Sequence, residues 1–291
     1  MLDELRVSMS ARRLVRFADA QGTACWGRLV AGVSTPKLGD DLELVPNPLT
    51  QELPIASQPG EMRSIHKLLP ALPINPVPSI LCVGLNFKKH ADECNLPEPE
   101  YPVIFTKFPT SVCATGEPIV VPKCAQDPVE VDYEVELGIV IGETCKNCSV
   151  EEAPEKILGY VVANDVSARL WQTLRGGGQW GRAKSFDSFC PVGSTMGLAE
   201  DFDGNSLSVS TTVNGITLQD SHTSDFIFNV GEVVSFLSTG TTLQAGTLIL
   251  TGTPWGVGMG RGGSTYLKEG DEVTVSVQEI GSVTNTVVYE K

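Results

Sequence analysis

The chain has 291 residues, 41% of them hydrophobic, and a mean hydropathy close to zero, which describes an ordinary globular protein and excludes extensive disorder. Its formal net charge of −14 argues against nucleic acid or an anionic membrane surface as the main partner. Apolar runs such as Ile139-Val140-Ile141 and Leu248-Ile249-Leu250 are far too short to span a bilayer.

At the N-terminus, Asp3, Glu4 and Arg6 stand where a secretory signal needs an apolar core, so a cytoplasmic location is expected, with a mitochondrial one left open. Leu14-Val15-Arg16-Phe17, the turn-prone Asp19-Ala20-Gln21-Gly22 and the run from Cys25 to Val30 together signal a β-hairpin. Residues 1–70 therefore read as a small N-terminal β-region. Pro70, Pro73, Pro76 and Pro78 forbid helix and predict an extended linker to a larger unit, residues 79–291. That unit reads as mainly β (α+β), punctuated by glycine and proline. Strands are expected at 80–83, 103–106, 134–141, 159–162, 207–213, 247–250 and 272–277, and helices at 87–95, 166–173 and 229–237.

Several segments of this unit carry chemistry. His90 and Glu93 follow an apolar strand and lie three apart, on one face of a helical turn. A carboxylate beside an imidazole raises its basicity and fixes its tautomer, as a general base requires; a solvent-facing pair fits the same spacing. Next comes Asp132-Tyr133-Glu134-Val135-Glu136-Leu137-Gly138-Ile139-Val140-Ile141, which alternates with the period of a strand. Tyr133, Val135, Leu137, Ile139 and Ile141 share one face, and Asp132, Glu134 and Glu136 the other. Side chains two apart on a strand start about 6.5–7 Å apart. Two full charges at roughly 6 Å repel by about 2–3 kcal/mol at an effective dielectric of about 20. A hard cation (Mg²⁺, Mn²⁺ or Ca²⁺) between them would relieve that repulsion, and so would exposure of the face to water.

Asp165 ends an apolar strand and offers either a third oxygen ligand or a helix N-cap. Arg169 and Gln172 would share a face of the helix expected after it, placed to grip a carboxylate or keto oxygen or to sit as routine surface residues. Lys184 lies among aromatic and apolar residues, where burial without an anionic partner is costly; it points to a charge that meets substrate unless it snorkels outward. Thr253 belongs to a tight loop, Thr251–Gly258, whose backbone donors or hydroxyl can face a ligand. Gly258–Gly263 spells G-x-G-x-x-G, but no helix or βαβ unit follows, so nucleotide binding is rejected. Cys145-Lys146-Asn147-Cys148 is a single CxxC without a second pair and reads as a reduced turn, while Cys82, Cys113 and Cys190 read as small core residues.

In order and spacing, Gly84–Glu93, Asp132–Gly142, Gly159–Arg169, Lys184–Asp187, Thr251–Gly258, Leu267–Asp271 and Ile280–Val287 resemble the fumarylacetoacetate hydrolase family over residues 79–291. The resemblance implies that family's mixed β-sandwich roll, a homodimer, and a divalent metal, Mg²⁺ or Mn²⁺, on Glu134, Glu136 and Asp165. It implies His90 with Glu93 as the dyad that activates water, Lys184 as the lysine that stabilises developing negative charge, and Arg169, Gln172 and Thr253 as substrate contacts. Trp171, Trp180 and the Gly176–Gly178 loop resemble the short-chain branch, which holds acylpyruvate hydrolases, oxaloacetate decarboxylases and oxaloacetate tautomerases.

The first expectation from this resemblance is hydrolysis of a carbon–carbon bond in a short β-diketo acid of the acylpyruvate kind, with a pyruvate enolate leaving on the metal. Oxaloacetate decarboxylation or keto–enol tautomerisation is the alternative. A metal-binding relative without turnover is the third reading, opposed by the joint presence of His90, Glu93 and Lys184.

Overall fold

The computed structural model describes residues 12–29, 35–54, 57–58 and 60–291; Asp3, Glu4, Arg6 and Val30 lie outside them. The chain is mainly β with few helices, in two large sheets. The larger sheet runs in the order Met62–Ser64, Asp41–Val45, Ala24–Arg28, Arg13–Ala18, Cys190–Leu198, Ile157–Asn164, Val135–Ile141, Leu248–Leu250, Ile80–Gly84 and Val103–Lys107. The second runs Ile216–His222, Ser208–Val213, Glu272–Val277, Gly281–Tyr289 and Ile119–Val121. Both are mixed: Leu248–Leu250 runs parallel to Ile80–Gly84, and Gly281–Tyr289 parallel to Ile119–Val121.

Val135–Ile141 lies between Ile157–Asn164 and Leu248–Leu250, and all seven of its residues are buried. Its alternation sorts the core. Val135, Leu137, Ile139 and Ile141 pack with Val273, Val275, Val277 and Val283 of the second sheet, the interleaving expected of stacked sheets. On the opposite face Val140 packs with Val161, Cys190 and Met196, and with Trp26, Ala71 and Leu72 from the N-terminal side. Glu134 and Glu136 are only 5% and 2% exposed, so water does not disperse their charge.

The N-terminal hairpin forms between Arg13–Ala18 and Ala24–Arg28, with its own apolar cluster around Val15, Phe17, Leu42, Leu44 and Ile65. Arg13–Ala18 also pairs with Cys190–Leu198, so the hairpin extends the larger sheet. The proline segment forms no helix but runs through a series of bends rather than extended, and it is packed: Ala71, Leu72 and Val77 are buried, and Ala71 N–H donates to Gly193 O.

Two expected helices form, Lys88–Glu93 and Val230–Ser238. The second opens on a reciprocal cap, in which the Asn229 side chain accepts from Glu232 N–H and Glu232 accepts from Asn229 N–H. The helix expected at 166–173 forms only in its second half. Ser167–Ala168 instead pairs with Val131–Asp132, and helical geometry begins at Arg169 and runs into one π-helical turn, Trp171–Arg175. A strand partner far upstream, Val131–Asp132, captures this backbone, and local periodicity carries no sign of it.

Candidate active site

Glu134 stands one residue before Val135–Ile141 and Glu136 within it, so strand alternation aims both side chains to one side. Asp165 follows the neighbouring strand, and its N–H donates to Glu134 O at 2.9 Å, which fixes the turn beside that glutamate. Glu134, Glu136 and Asp165 each bring a carboxylate oxygen within 4.8 Å of the others; among the described residues this is the one such group of three acidic, His or Cys side chains.

Cations surround the cluster on one side. Lys184, at the end of the short helix Gly181–Lys184, donates from Nζ to Glu134 Oε2 at 2.7 Å and Asp165 Oδ2 at 2.6 Å. Lys107 donates to Asp165 Oδ1 at 2.5 Å. Arg169 donates from Nε to Asp132 Oδ2 at 2.8 Å and from Nη1 to Gln172 Oε1 at 2.9 Å. Its Nη2 sits 2.7 Å from Glu134 Oε1 and 2.8 Å from Asp132 Oδ2, close enough for an ion pair but aligned with no hydrogen-bond acceptor. Asp132 also accepts from the N–H groups of Tyr133, Gly258 and Met259, so it ties Arg169 to the glycine-rich loop. That loop is a run of turns with no helix after it.

Four buried carboxylates (Asp132, Glu134, Glu136, Asp165) thus face three buried cations (Lys107, Arg169, Lys184), and the excess negative charge falls on Glu136. Burial together with Asp165 and Glu134 pushes the Glu136 carboxyl well above the usual carboxylate range. Burial acts on Glu134 in the same direction, but Lys184 and Arg169 outweigh it and hold that carboxyl down at about 2.

His90 and Glu93 lie on the helix Lys88–Glu93. His90 Nδ1 is 2.9 Å from Glu93 Oε2, and Glu93 Oε1 accepts from Gly256 N–H at 2.9 Å. The carboxylate can only accept, so Nδ1 carries the proton; in the neutral ring Nε2 holds the lone pair, with Cys94 Sγ 3.9 Å from it. Burial disfavours the imidazolium, but Cys94 and Glu93 beside it raise the ring to about 9. Glu93 is lowered, against its burial, by His90 and the Gly256 N–H.

One cavity of about 240 Å³ collects His90, Glu134, Glu136, Arg169, Gln172, Lys184 and Thr253 in its lining; Glu93 stands behind His90, and Asp165 behind Lys184. Thr253 Oγ1 accepts from Gln219 Nε2 at 2.9 Å. The nine residues picked out from sequence are therefore neighbours in space. Sequence reasoning missed Lys107, and it assigned Asp132 no partner. Lys107 shares a strand face with Phe105, and both are buried.

Residues 79–288 match the family described as Fumarylacetoacetate (FAA) hydrolase C-terminal. The chain belongs to the fumarylacetoacetate hydrolase family. It is 43% identical to the fumarylacetoacetate hydrolase domain-containing protein 2 homolog of Dictyostelium discoideum, over 74% of this chain and 72% of that one. It is 40% identical to a mitochondrial oxaloacetate tautomerase of Xenopus laevis, over 74% and 67%. Among solved structures, a 5-carboxymethyl-2-hydroxymuconate delta-isomerase from Mycobacterium smegmatis aligns at TM-score 0.78 and 34% identity, covering 96% of this chain and 100% of the other. Two of these three carry enzyme names, a tautomerase and an isomerase.

In this family member the donor set fits a divalent ion. Three buried carboxylates converge, all hard oxygen donors, and Glu136 has no cation of its own among the described residues.

Proposed function

We propose that the chain catalyses keto–enol exchange in a short 2-keto diacid, oxaloacetate being the substrate in view. The observation that carries this reading is the placement of a histidine held at Nδ1 by Glu93, a buried acidic triad and two buried cations around one small cavity. Its volume of about 240 Å³ is below the roughly 300–1,000 Å³ typical of pockets for drug-sized ligands, which suits a four-carbon acid. The oxaloacetate tautomerase relatives support the choice of substrate.

Mg²⁺ or Mn²⁺ held by Glu134, Glu136 and Asp165 would supply Lewis-acid polarisation of a keto acid and offset the charge that builds up in its enolate. The chain's own residues do the rest. The unaligned N–H of Arg169 Nη2 and the amide of Gln172 orient a substrate carboxylate. His90 Nε2, with Glu93 fixing its tautomer, takes the proton from C3 and hands that same proton to the oxygen at C2, and the reverse sequence restores the keto form. Lys184 donates to Glu134 and Asp165, keeps Glu134 ionised and adds positive potential where the enolate forms.

Hydrolysis of an acylpyruvate, the first expectation from the sequence, is the second reading. The same Nε2 that takes a proton from carbon would take one from water, and a fumarylacetoacetate hydrolase from Exiguobacterium antarcticum shares the fold at TM-score 0.76 and 30% identity. A panel of oxaloacetate and acylpyruvates with Mg²⁺ tests the two, following enol decay, pyruvate, released acid and carbon dioxide separately. Accelerated enol decay without carbon dioxide is the expected result. Pyruvate and acid from acylpyruvates, with enol decay unchanged, would give hydrolysis the first place. A homodimer and a cytoplasmic or mitochondrial location belong to the same proposal; sedimentation and fractionation test them.

A further inference from the structure

The cavity has a polar floor and a wall of a different kind. The floor carries the carboxylates, Arg169 and Lys184, so the polar groups of a four-carbon diacid belong there and only a larger substituent beyond C3 would reach the apolar side. On that side the Trp180 indole lies against the backbone at the end of Ile80–Gly84. A Cβ built on Gly84 would overlap its six-membered ring at Cζ3 and stand 3.0 Å from Cη2. The indole is supported on another side by Phe105, at 5.5 Å between ring centroids and an angle of 60°. Its residue is also one helical turn from Lys184, whose N–H donates to Trp180 O at 3.2 Å. Leu96 and Val103 line the same side but are 51% and 39% exposed and have room to yield. Trp180 has none, because backbone and a second ring back it.

We propose that Trp180 sets the size of the substrate's distal group, admitting 2-keto acids with a short substituent beyond C3 and rejecting branched or aromatic ones. Gly84 serves the same end, as the residue without a Cβ that lets the ring sit so close. The proposal rests on the reading of the cavity as a 2-keto acid site and adds its substrate class. A close-packed apolar wall discriminates by size at about 10–200-fold per added group, which is the effect to look for.

The test uses the full chain with Mg²⁺ and four forms: wild type, Trp180→Ala, Gly84→Ala and the double variant, with Trp180→Leu as the milder change should the alanine form fold poorly. Two readouts are taken: kcat/KM for small and phenyl-substituted 2-keto acids, and calorimetric affinity for oxalate against N-phenyloxamate as non-reacting mimics. Wild type should favour the small ligand by tenfold or more. Trp180→Ala should move the bulky-to-small ratio tenfold or more toward the bulky ligand. Gly84→Ala should weaken both ligands in the wild-type background and much less in the Trp180→Ala background, since the ring that the new methyl group meets is gone. An unchanged ratio in folded Trp180→Ala, or strictly additive effects of the two substitutions, overturns the proposal, as does failure of wild type to bind either mimic. If the mimics obey the expected ratios while no 2-keto acid turns over, the wall stands and the proposed reaction falls.

Discussion

Glu134 meets Lys184 and Arg169 at 2.7 Å each, whereas Glu136, two residues along the same strand face, accepts a hydrogen bond from the backbone N–H of Gly252 at 2.7 Å and has no ion pair among the described residues. The two carboxylates share a chain segment, a face and near-complete burial, and differ in what faces them. On the paired side the protein supplies its own counter-charge, so Glu134 stays ionised far below ordinary pH. On the unpaired side it supplies none, and the Glu136 carboxyl is pushed up. A buried acid is tolerated without a cation where losing it would cost function, and the unpaired side is therefore where an external cation has most to gain.

Glu136→Ala tests this difference most severely. Turnover should fall below detection, while the metal-free protein should keep its melting temperature or gain slightly, because a buried acid without a cation has been removed. Metal should stabilise wild type by about 2.7 kcal/mol at a concentration 100 times Kd, and that increment should disappear in the variant. Calorimetry with and without Mg²⁺ reads both. Full activity of wild type after exhaustive EDTA treatment would sink the metal assignment.

His90→Ala removes the proposed base, and keto–enol exchange should slow by about 10²–10⁴-fold, the usual range for losing a general base. Glu93→Gln keeps the ring and weakens only its anchor, so its loss should be smaller. Equal losses in the two variants would make Glu93 more than an orienting partner. Decarboxylation of oxaloacetate, which needs no proton taken from carbon, should suffer less than tautomerisation from His90→Ala.

Lys184→Ala breaks the paired side. Removing one partner of a buried pair typically costs about 3–5 kcal/mol, because the remaining charges stay in place unanswered. Here two carboxylates, Glu134 and Asp165, would be left to Arg169 and Lys107. Urea unfolding of metal-free protein gives the figure. A loss below about 1 kcal/mol would mean that these ion pairs behave like surface pairs. The two glutamates should also give opposite pH dependences. Glu134, lowered from 4.5 to about 2, contributes stability that is present above about 4.5 and lost as pH falls toward 2. Glu136, raised above 4.5, contributes stability present below 4.5 and lost as pH rises through its folded value; Glu136→Gln should remove that second decline.

Much of this site is legible in the amino-acid sequence. Glu134 and Glu136 stand out because strand alternation is a local property, and the His90–Glu93 spacing because a helical turn is one too. The family resemblance adds Asp165 and Lys184, which no spacing links to the strand. What the sequence hides depends on distant partners. Lys107 ends a strand at the sheet margin, where a lysine ordinarily guards an edge, and only the fold shows that it turns inward to Asp165. Ser167 and Ala168 sit in a stretch with helical spacing, and only the strand at Val131 and Asp132 makes them extended. Asp132 reads as a third member of the acidic face, yet its oxygens are taken up by Arg169 and three backbone N–H groups.

The finest test of the paired and unpaired sides is the titration of His90, because the ring is raised by Cys94 and Glu93 beside it and also feels Glu134 across the cavity. In metal-free protein its proton should be lost near pH 9. Against an unfolded value of 6.5, the ring then contributes stability that is fully present below about 6.5 and disappears as pH rises through 9. Loading Mg²⁺ on the cluster would cancel part of the negative potential that holds the ring charged, so the titration should move down, toward the pH at which a neutral base is wanted. Glu93→Gln should lower it as well, with or without metal. Nitrogen-15 chemical shifts of the His90 ring, followed against pH in both states, measure all of this without turnover. A His90 titration that Glu93→Gln lowers and Mg²⁺ leaves untouched would mean that the dyad is electrically isolated from the carboxylates, and that the two halves of the cavity do not act on one substrate.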